Sequence, residues 1–244
     1  MKKMLKLLQI IVITLAMFSM YGCFDERREF EFGDFICIEW FEEKITILDV
    51  SETGKQKRVL VVPEEVNSLP VIELRDRYAL WGDGLGWRSE ALEKVYLPWN
   101  LPVSNVTFQS CDNLVSVFLL NYQEDGSTLQ FINNNHFLYV NRYLFDEVYS
   151  NFDFVKSANV TYYYNDGRIE NHGCFWIDNV PYGSVLDVLP PEDPVSEGKT
   201  FAGWFKEPEC INAWNFETDT TPEEMVDEDG NVIYQETALY AKWV

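Results

Sequence analysis

"LEKVYLP" at 92–98 and "LVSVFLL" at 114–120 can be laid over one another at an offset of 22 residues, with Val95, Tyr96, Leu97 and Pro98 falling on Val117, Phe118, Leu119 and Leu120. Each run is short, apolar and β-branched or aromatic, so each reads as a strand. Recurrence at that interval is the period of a stacked repeat, whose units expose one apolar side and bury it only against their neighbours. Between the copies, "VSNVTFQSCDNL" at 103–114 leaves Val103, Phe108, Cys111 and Leu114 as the apolar marks. Side chains alternate along a strand. If Val95 and Leu97 point inward, Tyr96 points outward, and the aligned copies set Val61, Tyr96 and Phe118 side by side on the outer face, flanked by Lys94 and Ser116. An apolar and aromatic ladder on a solvent-facing sheet marks a partner site or a face covered by the chain itself.

These units resemble the BspA-type bacterial leucine-rich repeat. Leu92, Val95, Leu97 and Pro98 match its strand half; Phe108, Cys111 and Leu114 match its turn half, with Thr107 where the family usually has Ala. A looser unit runs from "RVLVVP" at 58–63 through "LPVIELRDRYAL" at 69–80, and "FICIEWFEEKITI" before it looks like the strand pair that opens such arrays. "FLYVNRYLFDEVYSNF" at 137–152 resembles the closing strand and short helix, with Asn141 as the cap and Leu144, Val148 and Tyr149 facing the array. The resemblance covers 35–157. It departs from the family between Pro63 and Pro98, where an insertion, "WGDGLGWRSE" at 81–90, holds three glycines and two tryptophans. Such insertions loop out and often touch partners; the alternative is that Trp81 and Trp87 fold back over an exposed edge of the array. Val61, Tyr96, Phe118, Trp81 and Trp87 are therefore the candidate ligand-binding residues.

The chain ends in a second aromatic unit. "VTYYYNDGRIE" at 160–170 reads as a strand, an Asp166-Gly167 turn and the start of a second strand; "GKTFAGWF", "AWNF" and "LYAKW" follow. The succession resembles the internalin-type B-repeat, or Listeria–Bacteroides repeat. Gly198, Thr200, Phe201, Gly203, Trp204, Trp214, Phe216 and Leu239 to Trp243 match as they stand, while Lys199, Phe205 and Asn215 depart. The resemblance implies a small β-grasp-like domain over 158–244. A domain of that size has little core volume, so Phe201, Trp204, Trp214, Tyr240 and Trp243 are expected in the core, with Gly203 admitting a close ring. "DEDGN" at 227–231 lacks the ligand spacing of a calcium loop, and Asp229-Gly230 reads better as a hairpin turn.

The N-terminus has Lys2, Lys3 and Lys6, an apolar run from Leu7 to Met17, then Tyr21-Gly22-Cys23. That is the three-part pattern of an export signal, 1–22. A small residue before cysteine resembles the bacterial lipoprotein processing site, which implies lipidation of Cys23 and anchoring to a membrane face. Charged residues 23–34 read as a tether. Cys37, Cys111, Cys174 and Cys210 show no ligand-like spacing, and Cys174 with Cys210 is a possible bridge in an exported chain.

Composition sets the remaining bounds. With 19 basic and 40 acidic residues among 244, the net charge of -21 disfavours nucleic acid and anionic lipid as partners. The two histidines, His136 and His172, form no ligand-spaced pair, and no nucleophile elbow, phosphate loop or zinc-protease motif is present. No cofactor or enzymatic activity is expected. The fold expected is mainly β with short helices: a leucine-rich repeat array of short parallel strands, then the small β-grasp-like domain. The function expected is surface binding to a protein or glycan on a host, matrix or neighbouring cell, with a structural envelope role as the alternative.

Overall fold

The computed structural model describes residues 28–41, 43–74, 87–98, 111–120, 137–149 and 153–244. Cys23, Trp81 and the turn segment 99–110 lie outside them. The described chain is mainly β, in three sheets.

The first sheet is built from β1 (Arg28–Phe32), β2 (Phe35–Trp40), β3 (Lys44–Val50), β5 (Glu65–Val66) and β6 (Leu69–Leu74), in the order β1-β2-β3-β6-β5. Residues 28–32, expected as part of a tether, instead pair antiparallel with β2, Phe30 facing Cys37. The physical reason is the period-two alternation of Phe30 and Phe32 with Glu29 and Glu31, which suits a half-covered edge strand. The β2–β3 pair is antiparallel, as the opening "FICIEWFEEKITI" suggests. Leu69–Leu74 of the looser repeat unit joins this sheet by pairing parallel with β3.

The second sheet is parallel throughout, with β4 (Val59–Val61), β7 (Lys94–Leu97), β8 (Ser116–Leu119), β9 (Phe137–Val140) and β10 (Val155–Ser157) in the order β10-β9-β8-β7-β4. Its register is the one the sequence offset predicts: Val95 opposite Val117, Tyr96 opposite Phe118, Leu97 opposite Leu119. The inward residues Leu60, Val95, Leu97, Val117, Leu119, Leu138 and Val140 form one contiguous core with Phe35, Cys37, Ile45 and Ile47 of the first sheet. A helical turn, Arg142–Leu144, follows β9 and continues as a π-helical segment, Phe145–Tyr149. Asn141 caps it, its side-chain oxygen accepting from the Leu144 N–H at 2.9 Å, and Leu144 is buried in the core.

The third sheet holds β11 (Val160–Tyr163), β12 (Cys174–Asp178), β13 (Phe201–Phe205) and β14 (Thr237–Trp243), in the order β12-β11-β14-β13. β11 and β14 run parallel, and the two outer strands pair antiparallel. The strand after β11 begins later than the Asp166-Gly167 turn suggests, because a 3-10 turn, Glu170–Gly173, intervenes. Trp204 is buried, and Phe201, Trp214, Phe216 and Trp243 pack partly buried against the same cluster. Trp204 meets Phe201 edge-on at 5.1 Å and Tyr162 at 5.0 Å. Gly203 has a different reason from the one expected. A Cβ there would meet nothing within 4 Å, but its φ of +116° lies where only glycine is comfortable, inside the register shift between Phe201 and Trp204.

Candidate functional site

The outer face of the parallel sheet carries the ladder that alternation predicts. Val61, Tyr96, Phe118 and Tyr139 stand in register across β4, β7, β8 and β9. Tyr96 and Phe118 stack with ring centroids 4.4 Å apart, and Phe118 and Tyr139 stack at 5.2 Å. The ladder is not open to solvent. Tyr96 and Phe118 are fully buried and Val61 is half-buried, because β12 of the third sheet lies over them. Trp176 stacks on the other side of Tyr96 at 4.4 Å. Of the two expectations for this face, a cover by the chain itself is the one observed, and the described cover is the C-terminal unit; of the 81–87 segment only Trp87 lies among the described residues.

Polar groups fix the register of that cover. Asp178 Oδ1 accepts from Tyr96 Oη at 2.8 Å, from Lys94 Nζ at 2.9 Å and from its neighbour's N–H, Asn179, at 2.7 Å. Burial pushes the Asp178 carboxyl above its ordinary range, against the opposing pull of Lys94, Tyr96 and Asn179. Burial, and then the Asp178 charge, push the Tyr96 hydroxyl far up, so it is a donor at every physiological pH. Asp178 is 1% exposed on its side chain and Lys94 17%, so the pair sits in a low-dielectric seam. Neither Trp176 nor Asp178 is signalled by any motif. The clue in retrospect is Lys94, a charge placed on an otherwise aromatic face.

Trp87 corrects the ligand-binding expectation and follows the alternative, a ring folded back on the array. It belongs not to a ligand loop but to the first core, 1% exposed, with its ring 5.7 Å from Phe35. Its carbonyl accepts from Cys111 Sγ at 3.2 Å. The glycine-rich neighbourhood suggested an exposed loop, but an indole beside Phe35 gains more by burial. Cys174 and Cys210 are both free, so the possible bridge is absent. Burial pushes the Cys174 thiol up to about 12, which leaves it unreactive. In the acidic stretch, Val226 and Val232 bridge antiparallel around a turn that Gly230 closes at φ +85°, as the hairpin expectation has it. No cluster of His, Cys, Asp and Glu among the described residues could hold a metal ion.

At one end of the seam the two units part and leave a cleft of about 450 Å³. Val61, Pro63 and Leu120 from the array and Tyr164, Phe175 and Trp176 from the C-terminal unit line it. Glu64, Glu65, Glu170, Glu192 and Asp193, all exposed, also line it. Arg168 also lines it, but is committed elsewhere: Asp166 accepts from its Nε at 3.0 Å, and its guanidinium lies 3.3 Å over the Tyr164 ring. That pairing, first through the side-chain hydrogen bonds, holds the Asp166 carboxyl well below the usual carboxylate range. An apolar concavity with a few convergent polar groups is the usual form of a ligand site.

Comparison with known proteins bears on the C-terminal part. Residues 159–242, which span β11 to β14, match the model of the Listeria-Bacteroides repeat domain. A protein of Evansella cellulosilytica, whose provisional name calls it a membrane protein, is 38% identical over 63 residues. That stretch is 25% of this chain and 7% of the relative, so the chain spans a small fraction of the relative's length. No solved structure matches the chain.

Proposed function

We propose that this chain is a lipid-anchored bacterial cell-surface binding protein without catalytic activity. In this reading 1–22 is an export signal, Cys23 carries the lipid, and 35–157 is a short leucine-rich repeat array that presents the B-repeat domain, 158–244. Three features support it: the signal-like head, the parallel register at an offset of 22 residues, and the match of 159–242 to a repeat family. The cleft between the parallel sheet and the C-terminal domain is the observation that carries a binding role. It is concave and apolar-walled, while the aromatic ladder first suggested by sequence is spent on holding the two units together. The ligand is a protein or glycan on a host, matrix or neighbouring cell surface.

Two measurements test the reading. Labelled palmitate supplied to cells making the protein enters the wild type and not Cys23→Ala; label in the mutant would sink the anchor. Cells displaying the full chain attach to immobilised matrix proteins or arrayed glycans. Attachment no better than that of cells lacking the protein would overturn the binding role and favour a structural part in the envelope.

A further inference from the structure

The described lining of the cleft is strongly acidic: Glu64, Glu65, Glu170, Glu192 and Asp193 stand against one described cation, Arg168. Glu65, Glu192 and Asp193 are exposed and make no ion pair among the described residues, and Glu170 stands beside them. Among the described residues the cation that lines the cleft is Arg168, which is held by Asp166, stacked on Tyr164, and donates through Nη2 to the Val195 carbonyl at 3.1 Å. Tyr164, Phe175 and Trp176 make the aromatic part of the lining. Trp176, a lining residue that is 3% exposed, keeps an indole N–H with no hydrogen-bond partner.

We propose that this cleft binds a short cationic peptide segment, its basic side chains on the lining carboxylates and its apolar side chains against Val61, Pro63 and Phe175. The inference rests on the binding role proposed above and names the ligand class. Charge selects the occupant. An anionic ligand would face five lining carboxylates, and a neutral glycan would leave them unanswered, whereas a lysine- or arginine-bearing segment answers them. The volume, about 450 Å³, suits a few side chains rather than a folded partner. A strongly acidic chain also draws a basic ligand in by long-range steering.

The test is fluorescence anisotropy of fluorescein-labelled Lys-Leu-Lys-Leu-Lys with the full chain from Cys23. Saturable binding is expected, with the matching Glu-Leu-Glu-Leu-Glu probe silent. Glu192→Lys with Asp193→Lys weakens the affinity by about tenfold, as the loss of two exposed charge pairs implies. The control pair is Glu228→Lys with Asp229→Lys, which makes the same change in net charge at a turn outside the cleft and leaves the affinity unchanged. Both pairs replace exposed side chains, so the fold survives. Equal weakening by the two pairs would show attraction to net charge alone and overturn the site. Absence of saturable binding would overturn the ligand class. Binding of a chitin hexasaccharide in place of the peptide would also overturn it, yet leave the surface-binding proposal standing; failure of cell attachment would do the reverse.

Discussion

Asp178 shows how one residue can hold two units in register. A buried carboxylate is costly unless its charge is met, and Tyr96 and Lys94 reach Oδ1 from the opposite sheet, while the buried Oδ2 has no hydrogen-bond partner. Removing the cation is worse than removing the hydroxyl. Lys94→Met leaves a charge in the seam with only neutral donors and is expected to cost roughly 3–5 kcal/mol. Tyr96→Phe loses one hydrogen bond and keeps both stacking contacts, so its expected cost is about 1–3 kcal/mol. Urea denaturation of both variants measures the difference. Losses of a few tenths for Lys94→Met would place the pair in solvent. The outward direction of Tyr96 is legible in sequence because alternation fixes it. Its partner is not, since Asp178 lies 82 residues further on and no local pattern links them.

Among the elements, β13 has the clearest special requirement. Gly203 sits at φ +116° in a register shift, with open space where a Cβ would go. Gly203→Ala is therefore a purely backbone penalty of about 1–3 kcal/mol. Gly54→Ala would fail for another reason, since its Cβ would lie 2.3 Å from the Asp34 carbonyl oxygen. Thermal melting of Gly203→Ala checks the first; an unchanged melting temperature would mean that the strand runs without the shift. The parallel strands are legible because Val95, Leu97, Val117 and Leu119 alternate with outward residues at a fixed offset. The edge strand β1 is harder to read, since the charges of "DERREFEFGD" mask the alternation of Phe30 and Phe32. Trp87 misleads for a similar reason: glycine-rich composition marks a loop but says nothing of a ring that returns to Phe35.

Across the described residues of the molecule, two cores share one sheet. The inner face of the parallel sheet packs on the first sheet, and its outer face packs on the C-terminal domain. A face that resembled a binding surface is thus an internal seam, and the open cleft lies at its end. Sequence places the second aromatic unit correctly but cannot say that it lies on the ladder, because contacts between separate units leave no period to read. The account's central claim is that Tyr96 and Phe118 are sealed by β12. Hydroxyl-radical footprinting of the full chain tests it directly. Tyr96, Phe118 and Trp176 should stay unmodified while Phe41 and Tyr143, which are 72% and 47% exposed, react freely. Modification of Tyr96 and Phe118 at the rate of Tyr143 would contradict the seam and return the ladder to solvent.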